Sequence, residues 1–218
     1  AAACRHLGTH LRIVEKSRHG ACHLGLAAAG LIAVWLAALL AGGASLPRDG
    51  GVRAYRQAAE RSHLVDLAWG VTWLGDGAVL IPIAVAAVAF FAVRRRWRDA
   101  VALLGATASV RLLVAVQKDW FGHARPDVSQ WMPESSSGFP SGHAANSLIT
   151  WVALAILLTG SRCAVAAALV LSFLVGASRV VLGVHWPTDV IGGWALGALA
   201  ALLLWHIRIR LAQAVRSP

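Results

Sequence analysis

The stretch SRVVLGVHWPTD, residues 178–189, carries three side chains that could act together on a phosphate group. Arg179 offers a planar guanidinium, which matches phosphate oxygens in pairs. Asp189 lies four residues beyond His185 at the start of a predicted helix, so it can accept a hydrogen bond from one ring nitrogen. That bond would fix the tautomer and leave the other nitrogen to attack phosphorus. The spacing therefore predicts an oriented histidine nucleophile beside a phosphate-binding arginine.

A second polar stretch, residues 117–147, contributes two more cations, Lys118 and Arg125. Asp119 and Asp127 are near them in sequence but need not point the same way. Cations that converge without matching acids favour a polyanion as the ligand. The sequence shows no His, Cys, Asp or Glu cluster with metal-ligand spacing, so we expect neither a metal nor another cofactor.

The segment FPSGH, residues 139–143, marks the predicted start of another helix. Ser141 fits the N-cap position, and Gly142 would let a ligand approach the backbone. Free N–H groups at a helix start bind anions. His143 would then stand beside the bound group, where it could protonate the leaving oxygen. Each residue alone suits a cap or a solvated histidine, but together with the cations they favour a phosphate site.

Apolar helices must position these residues. Hydrophobic residues make up 58% of the 218-residue chain and charged residues 14%, whereas a soluble domain has roughly a quarter of its residues charged. The sequence predicts an all-α integral membrane bundle of six transmembrane helices. Six apolar stretches approach the ~20 residues that cross a bilayer as a helix: 24–41, 71–93, 99–117, 144–159, 163–182 and 189–207.

The chain is predicted to form one domain. Residues 23–208 would be the bundle, 1–22 a cytoplasmic amino-terminal segment and 209–218 a cytoplasmic tail. The amino-terminal segment is polar and basic, and it suits an interfacial helix or a loosely attached tail equally.

Lys and Arg residues set the predicted orientation. With the amino terminus inside, 12 of the 20 fall on the cytoplasmic side and 7 on the outer side, which favours both termini in the cytoplasm. The short basic loop RRRWRD, residues 94–99, is the strongest local signal. Both polar stretches then face the periplasm or exterior of a bacterial cytoplasmic membrane.

The net charge of +10 could indicate nucleic-acid binding, but in a membrane protein it is more typical of contact with anionic lipids. We therefore expect membrane lipids as partners and no nucleic acid. Cys4, Cys22 and Cys163 are scattered along the chain, a pattern that favours unpaired thiols.

The motifs together resemble the three-part signature of the type 2 phosphatidic acid phosphatase family. The residues that carry the resemblance are Lys118-x6-Arg125-Pro126, Pro140-Ser141-Gly142-His143 and Ser178-Arg179-x5-His185-x3-Asp189. The resemblance implies a metal-independent phosphatase that works through a phosphohistidine. It implies His185 as the nucleophile, Asp189 as its orienting partner and His143 as the general acid. Phosphate binding would fall to Lys118, Arg125, Ser141, Gly142 and Arg179.

The first motif departs from the pattern K-x4-R-P-R-P of many bacterial members. His123 and Ala124 occupy the positions of the additional Arg-Pro pair. Catalysis should be unaffected, because the required positions are present. The preference for a lipid head group is put in doubt, because one cation is replaced by a group that is neutral at pH 7.

The resemblance extends to the group of undecaprenyl-diphosphatase and phosphatidylglycerophosphatase B. Undecaprenyl diphosphate is therefore the first expected substrate, with phosphatidylglycerophosphate and phosphatidate as alternatives. A lipid phosphotransferase would use the same phosphohistidine, and a non-enzymatic lipid transporter would need no nucleophile. A vanadate-dependent haloperoxidase has a similar anion pocket, but six membrane spans argue against that soluble group.

Arg111 is a charge that the signature does not require. It lies seven residues before Lys118, about two helical turns deeper in the third span. An arginine at that depth needs a partner, water or the bundle interior. Asp76 could pair with it beneath the phosphate site. Alternatively, Asp76 caps a helix that starts at Gly77 while Arg111 extends toward the head groups.

Overall fold

The computed structural model describes residues 23–41, 63–126 and 136–214, and every regular element in those residues is helical. A 3-10 turn, Trp73–Gly75, links the second helix to the third, and a π-helical turn, Ala155–Thr159, extends the fifth. The helices are α1 (His23–Ala41), α2 (Leu64–Thr72), α3 (Gly77–Val93), α4 (Trp97–Phe121), α5 (Gly142–Leu154), α6 (Arg162–Val181) and α7 (Pro187–Ala214).

Six helical segments of the described chain are long and apolar enough to cross a bilayer. The predicted all-α membrane bundle is therefore confirmed, and the protein is an integral membrane protein. The second span begins at Leu64 rather than near residue 71, because α2 precedes the 3-10 turn and continues into α3. The last helix continues to Ala214, past the predicted end of the bundle at residue 208. The predicted segment 1–22 lies outside the described residues.

Local sequence explains where several helices begin and end. Pro187 is the first residue of α7, a position where a missing N–H costs nothing. Gly122 ends α4 with φ 58°, and Gly160 ends the π-helical extension of α5 with φ 64°. Both values are left-handed, which glycine adopts without a steric penalty.

The fifth helix is the centre of the bundle. It packs against α4, α6 and α7, and 67% of its span is buried, compared with 6% for α1. Two glycines allow α7 to approach it closely: a methyl group at Gly197 would lie 2.8 Å from the Ala145 carbonyl oxygen, and one at Gly193 would meet Ser141. This contact joins the helix that begins after FPSGH to the one that begins after HWPTD.

Two arginines bind the end of the bundle opposite those helix starts. Arg96 Nη2 donates to the carbonyl of Leu157 at 2.7 Å, and Arg208 donates to the carbonyl of Ile156. Both carbonyls belong to the π-helical turn. Arg96 also forms an ion pair with Asp99 at 2.7 Å. The basic end of the bundle is thus held by side chains that bind the last turn of the central helix.

Candidate active site

The two polar stretches meet at one end of the bundle. Lys118 is in the last turn of α4 and Arg179 in the last turn of α6. His143 and Asp189 are in the first turns of α5 and α7. Because successive spans run in opposite directions, these four helix ends lie on the same side of the bundle.

His185 and Asp189 form a buried pair. Nδ1 of His185 lies 3.2 Å from Oδ2 of Asp189, and the side chains are 2% and 0% exposed. The same carboxylate oxygen accepts the backbone N–H of Trp186 at 3.0 Å. With Nδ1 bound to the carboxylate, Nε2 is the ring nitrogen left for a substrate.

The pKa of His185 lies well below its ordinary value. Burial is the largest cause, followed by the positive charges of Arg125, Arg179 and Lys118 and by His143. The ring is therefore neutral at pH 7, with a lone pair on one nitrogen. All four groups are therefore close enough to His185 to lower its pKa.

Arg179 is completely buried. Its Nη1 donates to the hydroxyl of Thr72 at 3.0 Å, across 107 positions of sequence. Thr72 lies at the end of α2 and is itself buried. Thr72 was not predicted as a site residue, because a threonine in an apolar span has no sequence feature that distinguishes it from its structural neighbours.

Lys118 and Arg125 bind the segment that precedes α5. The Lys118 ammonium donates to Ser137 O at 2.6 Å and to the Ser136 hydroxyl at 3.0 Å. Arg125 Nε donates to Ser136 O at 2.6 Å, and its Nη1 donates to Val184 O at 2.6 Å. Val184 directly precedes His185, so Arg125 joins the two polar stretches at the candidate nucleophile.

Ser141 occupies the N-cap position of α5, as predicted, but its hydroxyl makes no capping bond. Within the described residues its Oγ is buried and has no hydrogen-bond partner. Its backbone N–H donates to the carbonyl of Asp189 at 2.9 Å, so the start of α5 is tied to the start of α7. Gly142 follows as the first residue of α5, beside His143.

The predicted Asp76–Arg111 ion pair is not formed, although the structure describes both residues. Asp76 caps α3 by accepting the N–H of Ala78 at 2.7 Å, which is the alternative interpretation. Its second carboxylate oxygen lies 3.4 Å from His143 Nε2. The extended backbone at Asp76 aims the carboxylate at the helix start and at His143, while the Arg111 guanidinium lies over Gly77.

His123, which departs from the common bacterial pattern, packs among aromatic rings. Its ring centroid lies 5.3 Å from that of Phe139 and 6.4 Å from that of Phe121. Burial lowers the pKa of His123. The position therefore holds a neutral ring at pH 7, where an arginine would add a positive charge.

The model of the PAP2 superfamily matches residues 99–212 of this chain. Phosphatidylglycerophosphatase B of Bacillus subtilis is 37% identical over 144 residues, which are 62% of this chain and 70% of that protein. Undecaprenyl-diphosphatase of Sulfolobus acidocaldarius is 42% identical over 65 residues, 30% of this chain and 31% of that protein.

Two solved structures are similar to the bundle. The transmembrane PAP2-type phosphatidylglycerolphosphate phosphatase of Bacillus subtilis has a TM-score of 0.75 and 31% identity, covering 84% of this chain and 96% of that one. Aquifex aeolicus LpxE has a TM-score of 0.57 and 26% identity, covering 71% of this chain and 93% of that one.

The family match spans helices α4 to α7. The matched residues 99–212 include every side chain that the three motifs contribute, from Lys118 to Asp189. Thr72 and Asp76 lie before the matched region and reach the site from the second span. More than half of the chain fits the family model, so the chain belongs to the PAP2 superfamily.

Proposed function

We propose that this protein removes the terminal phosphoryl group of a membrane lipid by transferring it to His185, without a metal. As a member of the PAP2 superfamily the chain is a lipid-phosphate hydrolase. The observation that carries the mechanism is the buried His185–Asp189 pair. The Asp189 carboxylate binds one ring nitrogen of His185, and the other ring nitrogen is left neutral and nucleophilic near cations.

Two displacements at phosphorus would complete the reaction. In the first, the lone pair on His185 Nε2 attacks phosphorus, the bond to the leaving oxygen breaks, and His143 donates a proton to that oxygen. In the second, His143 takes a proton from water, and the resulting hydroxide attacks the phosphohistidine. The P–N bond then breaks, which releases inorganic phosphate and restores the neutral ring of His185.

Fixed charges would stabilise both transition states. Arg179, Lys118 and Arg125 can bind the non-bridging oxygens, and the Ser141 hydroxyl with the N–H groups at the start of α5 can bind another. Groups that are held in position before the reaction would stabilise developing charge without reorganisation. This donor set suits a phosphate dianion. It supports a reaction in which cationic side chains, without a metal, neutralise the negative charge that develops on the phosphoryl oxygens.

Two lipids are the leading candidates for the substrate. Undecaprenyl diphosphate is favoured by the similarity to the undecaprenyl-diphosphatase of Sulfolobus acidocaldarius, which is 42% identical over 65 residues. Phosphatidylglycerophosphate is favoured by the relative from Bacillus subtilis, whose similarity extends over 62% of this chain. Either lipid could keep its tails in the bilayer while its phosphate enters a site at the ends of the helices.

Phosphate release by the purified protein tests this proposal. The panel contains undecaprenyl diphosphate, phosphatidylglycerophosphate and phosphatidate, each assayed with EDTA and with added magnesium. We expect equal rates with and without EDTA, and inhibition by vanadate, which mimics pentacoordinate phosphorus. Activity only with added magnesium would contradict the mechanism, and transfer of phosphate to another lipid would identify a phosphotransferase.

We further propose that both termini are cytoplasmic and that the site faces outward, as the Lys and Arg bias indicates. The three native cysteines, Cys4, Cys22 and Cys163, would then all be internal. In intact cells an impermeant thiol reagent should leave the native protein unlabelled and should label a Ser135→Cys variant. After lysis, exposed Cys163 should also react. Labelling of the native cysteines in intact cells would show that the orientation is the opposite of the one proposed.

A further inference from the structure

The Asp76 carboxylate makes two contacts, one with each oxygen. Oδ1 accepts the N–H of Ala78 and caps α3. Oδ2 lies 3.4 Å from Nε2 of His143, whose side chain is only 15% exposed. A cap requires a single oxygen. Capping therefore accounts for Oδ1, and the contact of Oδ2 with the candidate general acid needs a separate explanation.

The turn that carries Asp76 is fixed against the active site. Trp151 Nε1 on α5 donates to the carbonyl of Leu74 at 3.0 Å. Gly75 is buried against the His143 ring: an added methyl group would lie 3.4 Å from His143 Cδ2 and would overlap Val175. These contacts hold the Asp76 backbone at a constant distance from the imidazole, as a positioning role requires.

The charges around His143 give this carboxylate a chemical role. Lys118, Arg125 and Arg179 lower the pKa of the neighbouring His185, because positive charges disfavour a protonated imidazole. A general acid must nevertheless carry a proton when the leaving oxygen departs. The Asp76 carboxylate is an anionic group in contact with the His143 ring, and an adjacent anion stabilises an imidazolium.

We propose that Asp76 is a positioning residue for the general acid: it orients the His143 ring and stabilises its protonated form. The inference rests on the proposed role of His143. The 3.4 Å separation of Asp76 Oδ2 and His143 Nε2 is a contact and not a formed hydrogen bond. Catalytic hydrogen bonds are often long or unformed without substrate and tighten in the reacting complex, so this contact suits the role. The second span would then supply two positioning residues from outside the family match, Thr72 for Arg179 and Asp76 for His143.

The variant Asp76→Asn separates capping from catalysis, because asparagine caps a helix as well as aspartate does but carries no charge. We expect kcat on a lipid phosphomonoester to fall about 10–100-fold, less than the ~10²–10⁴ that a whole general acid contributes, with little change in KM. On a prenyl diphosphate kcat should be nearly unchanged, because that leaving group needs less help from a proton. Asp76→Ser, which keeps a cap but is too short to reach His143, should behave like Asp76→Asn.

A double-mutant cycle completes the test. Once His143 is alanine, Asp76→Asn should cost no further activity, since there is no imidazole to position. Asp99→Asn removes a carboxylate at the opposite end of the bundle and should leave kcat on both substrates unchanged.

Three outcomes would count against the inference. Equal losses of kcat on both substrates in Asp76→Asn, or losses that add to those of His143→Ala, would reduce Asp76 to a structural cap. The third outcome would mark a failure of the proposed function itself: kcat of His143→Ala would fall by the same factor on both substrates. His143 would then not be the general acid, and the role of Asp76 would be overturned with it.

Discussion

Replacing His185 by alanine is expected to abolish the hydrolysis of every lipid phosphate, with kcat lower by at least about 10⁴-fold, the range seen when a nucleophile is removed from a covalent mechanism. The physical reason is that His185 combines a buried neutral ring, a carboxylate on one ring nitrogen and nearby cations, which together leave its other nitrogen to attack phosphorus. Phosphate release by the purified variant in detergent, compared with the native protein on the same lipid, measures the effect.

Two further variants make the His185 result interpretable. His185→Asn can retain a hydrogen bond to Asp189, so it should fold like the native protein and still lack turnover; thermal unfolding in detergent checks the fold. His206→Ala changes a histidine near the other end of α7 and should keep full activity. Substantial turnover by a folded His185→Ala protein would remove the nucleophile assignment.

Replacing His143 by alanine should have an effect that depends on the leaving group. A diphosphate expels a phosphate monoester, which is a good leaving group, whereas phosphatidate must expel an alkoxide. General acid catalysis typically contributes ~10²–10⁴-fold, so we expect the loss of kcat on phosphatidate to exceed the loss on a prenyl diphosphate by at least about tenfold. Parallel assays of the two lipids at saturating concentration measure this ratio.

The His185 variant is the matched control for this comparison. A nucleophile is required whatever group departs, so His185→Ala should lose activity equally on both lipids, in contrast to His143→Ala. If His143→Ala lost the same factor on both, the ring would be binding phosphate rather than delivering a proton.

The spans and the motifs were predictable from sequence because both signals are local. An apolar run of bilayer length predicts a helix without knowledge of its neighbours, and ionisable residues at membrane depth are rare enough to draw attention. Lys118, Arg125, His143, Arg179, His185 and Asp189 were identified in this way. The start of α2 was missed because Asp66 and His63 place polar groups where the second span begins.

The second span shows what local signals do not reveal. Thr72 reaches Arg179 over 107 positions, and a hydroxyl in an apolar helix bonds to its own backbone as readily as to a distant side chain. For Asp76 the sequence allowed either a cap or a partner for Arg111. Which of the two forms depends on the backbone conformation at Asp76 and on the position of α5. In the structure Asp76 caps the helix.

The stereochemical course at phosphorus tests the phosphohistidine most directly. A lipid phosphorothioate made chiral with ¹⁸O, hydrolysed in water enriched in ¹⁷O, yields inorganic thiophosphate whose configuration can be read. Each in-line displacement inverts phosphorus, so transfer to His185 followed by attack of water predicts overall retention. Inversion would mean that water attacks the lipid phosphate in a single step, and it would contradict a covalent intermediate on His185.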